Sequence, residues 1–262
     1  MDMRTTENPH RPYLLECAGA ETAVLMVHGF LGSPVQFKPL ARILHEQGYT
    51  ARAILLPGHG GSAKEFAQEG RDAWMRAVEQ TAAELRQKYK RIIFIGHSLG
   101  GLLSLNEAMQ SGADGIVLIS VPMRLRNNYH VLPQSIRMFW GDPEKDDDLM
   151  RFERSVFSIA LKPIRHHLSS WPRGMDLLRL MRGTRKSLSR VQAPVLIIQS
   201  KSDQTVAWKS AGILERGLIH CRPEVMMLER SGHSYFHPTE AGPMYERICE
   251  FIRTAISQRS HY

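Results

Sequence analysis

The chain has 262 residues, 43% of them hydrophobic and 23% charged, with a net charge of +8. This is the composition of an ordinary globular protein with enough apolar surface for one large core, and no run approaches 18 apolar residues, so a membrane-spanning helix is excluded. Three well-separated cysteines, Cys17, Cys221 and Cys249, exclude a disulfide framework and a cysteine metal site, and they fit a reducing cytoplasm. The polar opening MDMRTTENPHRP has no apolar h-region, so no signal peptide is expected.

Short runs rich in Val and Ile predict strands at Ala23–Val27, Ala51–Leu55, Arg91–Ile95, Gly115–Ile119, Val195–Gln199 and Glu224–Leu228. Continuous apolar runs of this kind suit strands buried on both faces, as in a parallel sheet. Helical patterns lie between them. Phe37–Gln47 follows Ser33-Pro34, a favourable helix start. Asp72–Lys88 places apolar residues at 74, 75, 78, 82 and 85 on one face. Leu99–Gln110, Ala207–Arg216 and Thr239–Ile256 complete the set. Alternating strand and helix predict an α/β architecture, a mostly parallel sheet flanked by helices.

Residues 122–190 break the alternation. They show no strand signal and read as helices separated by Pro and Gly, with Leu149, Phe152, Val156 and Ile159 on one face and Met175, Leu178 and Met181 on another. The acidic run Asp142–Asp148 lacks the alternating ligands and glycine of a calcium loop, so it reads as a helix start. The same segment holds 14 of the 34 Lys and Arg but only 7 of the 26 Asp and Glu, and therefore accounts for +7 of the net charge. Without a nucleic-acid motif this reads as a solvated basic face, and no nucleic-acid partner is expected.

The chemistry concentrates at Gly96-His97-Ser98-Leu99-Gly100, a G-x-S-x-G sequence between a strand and a helix. A sharp turn there exposes the serine hydroxyl above the sheet, and the helix N-terminus behind it favours negative charge. A serine needs a base, and the base needs an orienting acid. Asp203, after the strand Val195–Gln199, and His233, after Glu224–Leu228, fall in the required chain order. Glu229 is the rival acid, but it lies too close to His233 in sequence to approach it from a neighbouring strand.

Of 12 histidines, His97 should project away from the hydroxyl, while His28 and His59 sit in glycine-rich loops where histidines more often brace backbone. His237, four residues after His233, lacks the neighbouring glutamate of a zinc site, so no metal and no cofactor are expected. The oxyanion of an acyl-transfer intermediate needs two N–H donors, expected from Leu99 and from Phe30 in the loop His28–Gly32, with Gly29 providing the turn that aims Phe30.

His28-Gly29-Phe30-Leu31-Gly32-Ser33, Leu56-Pro57-Gly58-His59-Gly60, Gly96-His97-Ser98-Leu99-Gly100-Gly101, Lys201-Ser202-Asp203 and Ser231-Gly232-His233 together resemble the bacterial carboxylesterase and monoacylglycerol lipase family. The resemblance runs from about Tyr13 to about Ile256. It implies an α/β-hydrolase fold with a small helical cap inserted after the sixth strand: residues 1–121 and 191–262 as core, 122–190 as cap. It also implies Ser98, Asp203 and His233 as the catalytic triad, and Phe30 and Leu99 as oxyanion-hole and substrate-binding residues. The expected substrate is a small ester, lipid-derived esters included. A thioesterase, an amidase or a slow-turnover binding protein on the same fold are the alternatives.

Overall fold

The computed structural model describes residues 8–126, 142–160 and 169–258. Seven strands form one sheet: β1 (Tyr13–Leu15), β2 (Thr22–Val27), β3 (Thr50–Ile54), β4 (Arg91–His97), β5 (Gly115–Ile119), β6 (Val195–Ser200) and β7 (Glu224–Leu228). Their order is β1-β3-β2-β4-β5-β6-β7, and all but β1 run parallel. The six expected strands are all present. β1 is an addition, three residues paired antiparallel to β3 at the sheet edge, too short to show a period in sequence.

Eight helices occur among the described residues: α1 (Lys38–Glu46), α2 (Ala63–Gln68), α3 (Arg71–Lys88), α4 (Leu99–Ser111), α5 (Asp148–Val156), α6 (Trp171–Ser187), α7 (Ser210–Gly217) and α8 (Pro238–Gln258). Side chains alternate across a strand, so each central strand feeds two cores. Ala23, Leu25, Val27, Ile92 and Phe94 pack with α3, α4 and α7 on one face, whereas Val24, Met26, Ile93 and Ile95 pack with α1 and α8 on the other. Double coverage explains why β2 and β5 are buried throughout and read as unbroken apolar runs.

The inserted segment leaves the sheet after β5 and returns at β6. The resemblance places the insertion after the family's sixth strand; here it follows the fifth in chain order. Its acidic run does start helices: Asp142 caps a short 3₁₀ turn, and the Asp147 carboxylate accepts the Met150 N–H at 2.9 Å. Ile159 lies beyond the end of α5, although it is buried. The later part of the segment is built into the main core. Leu180, Met181 and Leu188 join the cluster that holds Leu99, Leu102 and Leu103, and Asn106 Nδ2 donates to Thr184 Oγ1 at 2.7 Å.

Candidate active site

The loops that end β2, β4, β6 and β7 meet at the carboxyl edge of the sheet, the usual place for a site in a parallel α/β sheet. Ser98 closes β4 and opens α4 with φ 51° and ψ −117°, a conformation sparsely populated by residues with a side chain. The turn holds because its N–H donates to the Ile119 carbonyl at 2.9 Å and α4 packs directly over β2. That close approach explains Gly100: a Cβ there would lie 1.9 Å from the Val27 carbonyl oxygen.

The three side chains expected to act together are brought together. His233 Nε2 is 3.1 Å from Ser98 Oγ, and His233 Nδ1 is 2.9 Å from Asp203 Oδ2. Asp203 is only 1% exposed, and its second oxygen accepts the N–H groups of Thr205 and Val206, both at 2.8 Å. Burial disfavours its charge, but His233 and these hydrogen bonds outweigh it and hold the carboxyl below its ordinary value. Burial likewise works against a charged His233, yet Asp203 outweighs it and raises the ring above its ordinary 6.5. Glu229 is elsewhere: it pairs with Lys201 at 2.6 Å on an exposed edge.

The remaining histidines brace the site. His97 Nε2 lies 2.8 Å from the His233 carbonyl, so this nitrogen carries the proton and donates there. Burial, with the charge of His233, pushes it down to about 3 and keeps it neutral. His28 accepts the Leu56 N–H at 3.0 Å, and burial holds it well below its ordinary value. His59, pushed down to about 4 by burial, accepts the Leu31 N–H at 3.3 Å.

That last bond bears on Phe30. The turn in the loop comes from Leu31, at φ 61°, and not from Gly29 as expected. Gly29 is required for a different reason, since a Cβ there would lie 2.8 Å from His97 Nδ1 and 3.2 Å from Ser98 Cβ. The N–H groups of Phe30 and Leu99 donate to no acceptor among the described residues. The Leu99 side chain is fully buried, so only its backbone can meet a ligand. The Phe30 ring packs edge-on against Phe66 and Trp74, with centroids 5.2 and 6.0 Å away.

A profile of the serine aminopeptidase (S33) hydrolase family matches residues 18–240. The chain belongs to that family. Its α/β-hydrolase sheet is shared with the monoacylglycerol lipase of Paleococcus ferrophilus, at a TM-score of 0.70 and 20% identity over 94% of this chain and 99% of the other. The chain is 26% identical to a carboxylesterase of Bacillus subtilis (strain 168), covering 89% of this chain and 93% of the relative. It is 28% identical to a thermostable monoacylglycerol lipase of Bacillus sp. (strain H-257), covering 87% and 89%.

Some supporting residues of this S33-family site had no signal in the sequence. Glu240, near the start of α8, accepts the N–H groups of Glu229, Arg230 and Ser231 at 2.8, 3.1 and 2.9 Å, and the Ser231 hydroxyl at 2.6 Å. Burial would raise its carboxyl, but these donors hold it below its ordinary value. Glu240 thereby fixes the loop that carries His233. Among the described residues no cluster of three or more His, Cys, Asp or Glu side chains is arranged to hold a metal ion. No helix among them is long and apolar enough to cross a membrane.

Proposed function

We propose that this protein is a serine hydrolase that cleaves carboxylic esters, with short- to medium-chain acyl esters and monoacylglycerols as the substrate class, through an acyl-enzyme on Ser98. The observation that carries this reading is the chain Ser98 Oγ–His233–Asp203, at 3.1 and 2.9 Å, built on a strained turn at the foot of α4. In this scheme Ser98 Oγ bonds to the ester carbonyl carbon while His233 Nε2 takes its proton. The oxygen that gains charge is met by the N–H groups of Phe30 and Leu99. His233 then passes its proton to the departing alcohol oxygen. A water then gives its proton to His233 as it attacks the acyl carbon; the bond from that carbon to Ser98 Oγ breaks, His233 returns the proton to Oγ, and the carboxylic acid leaves. Asp203 stays ionised throughout and holds Nδ1–H, so that Nε2 is the nitrogen free to accept.

The names of the two Bacillus relatives favour an ester substrate, whereas the family description favours an amide as the second reading. A panel of p-nitrophenyl esters, acyl-CoA thioesters and anilides separates them. Fast turnover of esters with little on anilides is expected; the reverse order would replace esterase by amidase, and turnover of none would favour a ligand-binding role.

Residues 122–190 act as the cap in this reading, and the cytoplasm is the proposed location, supported by three free cysteines. Two aromatic residues of this insert, Phe139 and Trp140, lie outside the described residues. Trp171 is 77% exposed and faces solvent. Phe157, by contrast, packs against the same apolar cluster as Phe30, Leu31 and Leu178, and is the aromatic residue of the insert proposed to meet an acyl chain. Each buried methylene contributes about 0.8 kcal/mol, so kcat/KM should rise about fourfold per methylene from acetyl toward medium chains. A p-nitrophenyl ester series from acetyl to palmitoyl tests this, and a maximum at acetyl with a steady fall would refute the apolar pocket.

Catalysis needs neutral His233, and its pKa lies above 6.5, so kcat/KM should fall on the acid side with a midpoint above 6.5. The stability this pairing contributes runs the opposite way. It is fully present below 6.5 and is lost as pH rises through the raised value. A rate profile flat down to about pH 5 would remove His233 from the role of base.

A further inference from the structure

The first part of the inserted segment touches both halves of the reaction centre. On one side, Glu153 of α5 accepts a hydrogen bond from Gln204 Nε2 at 2.8 Å. Gln204 adjoins Asp203, and its Oε1 accepts the His233 N–H at 3.1 Å. An amide has one donor end and one acceptor end. With the carboxylate of Glu153 holding the NH₂ group, only the oxygen of Gln204 is left to face His233, so the cap residue sets which way the amide points. On the other side, Ser158 is buried, its N–H donates to the Leu31 carbonyl at 2.9 Å and its hydroxyl donates to the Gly32 carbonyl at 2.6 Å. These are the residues that follow Phe30. Ala160 N–H continues the strap, donating to the Gly61 carbonyl at 2.8 Å.

We infer that residues 147–160 are a positioning strap for the reaction centre, in which Glu153 acts through Gln204 to hold the His233 loop while Ser158 holds the loop of Phe30. This inference rests on the hydrolase reading above and adds to it a role for cap residues that touch no substrate. Two properties make Glu153 more than a brace. Its contact fixes an amide orientation that leucine or alanine could not, and its negative charge lies close enough to His233 to favour the imidazolium. Among the described residues, the charged and titratable groups around that ring are Asp203 from the β6–α7 loop, His97 from the end of β4, and Glu153 from α5. Arg126 lies behind them, donating to the Asp203 carbonyl at 2.8 Å. Among the described residues Asp203 and Glu153 favour the charged ring, so removing the Glu153 charge should lower its pKa.

The two effects come apart in two substitutions. Glu153→Gln keeps an oxygen for Gln204 Nε2 but loses the charge. Its kcat at the alkaline plateau should stay within about twofold of wild type, while the acid limb of kcat/KM moves to lower pH. Glu153→Ala loses both, and kcat should also fall about 10-fold with KM little changed, short of the ~100-fold that an ångström of misplacement can cost. Combining it with Gln204→Ala should cost no more than Gln204→Ala alone, because the two residues form one link. An acid limb unmoved in Glu153→Gln overturns the electrostatic role. A rate for Glu153→Ala equal to wild type, or losses that multiply in the double variant, overturns the strap. If Glu153→Ala does not fold, Gln204→Ala decides the strap, since a kcat equal to wild type would overturn it. Failure of the hydrolase reading would look different: a fluorophosphonate would not label Ser98 in the wild type.

Discussion

Replacing Asp203 by asparagine should cost about 10⁴ in kcat while leaving the site assembled, the loss found where such an aspartate orients a catalytic histidine. The reason lies in the four hydrogen bonds that surround this carboxylate. Oδ1 accepts Thr205 and Val206 N–H, and Oδ2 faces His233 Nδ1 at 2.9 Å with Gln199 Nε2 at 3.3 Å. An asparagine would keep its oxygen on the two backbone N–H groups, leaving its NH₂ toward His233. Nδ1 must then accept, Nε2 must carry the proton, and the ring can no longer take one from Ser98. The fold should tolerate the change, because the backbone bonds survive; a melting curve checks that separately. A loss smaller than tenfold would mean that another carboxylate orients the histidine. Glu229, the nearest alternative in sequence, is held at the surface by Lys201.

Ser98→Ala should be the most severe single change, lowering kcat for esters by about 10⁶ and abolishing fluorophosphonate labelling. Ser98 is only 6% exposed, and its hydroxyl is hydrogen-bonded to His233 Nε2 at 3.1 Å, a contact whose loss removes little apolar packing. Stability should therefore change little. The backbone offers a sharper check. Ser98 sits at φ 51° and ψ −117°, a strain worth about 1–3 kcal/mol for a residue with a Cβ, whereas glycine adopts it freely at a cost of about 0.4–1 kcal/mol in chain entropy. Ser98→Gly should thus be inactive yet at least as stable as wild type. A clearly lower melting temperature for Ser98→Gly would show that the strain is smaller than the dihedral angles imply. Persistent labelling of Ser98→Ala would move the nucleophile to another serine.

The features read correctly from sequence are those decided by neighbours along the chain. Apolar runs and helical periods mark β2 to β7 and the long helices, because their burial on both faces or on one stripe is written every two or every 3.6 residues. The turn at Ser98 is legible for the same reason: Gly96, Gly100 and the flanking strand and helix are all local. Asp203 and His233 could be chosen because the order of strands in this fold constrains which loops meet.

What only the tertiary structure decided are contacts between residues far apart in the chain, where no local pattern selects one partner over another. β1 is too short for a period and exists because β3 offers it an edge. Gly29 reads as a turn residue, but its reason lies in His97, which arrives on β4, while Leu31 takes the positive φ under the hold of His59 and Ser158. Glu240, Gln204 and Glu153 are ordinary surface residue types in sequence, and they reach the His233 loop only once α8, the β6–α7 loop and α5 have docked. The chain's local chemistry specifies the turn at Ser98 and the loops of Asp203 and His233; the packing of distant elements sets how firmly, and in which protonation state, these side chains are held.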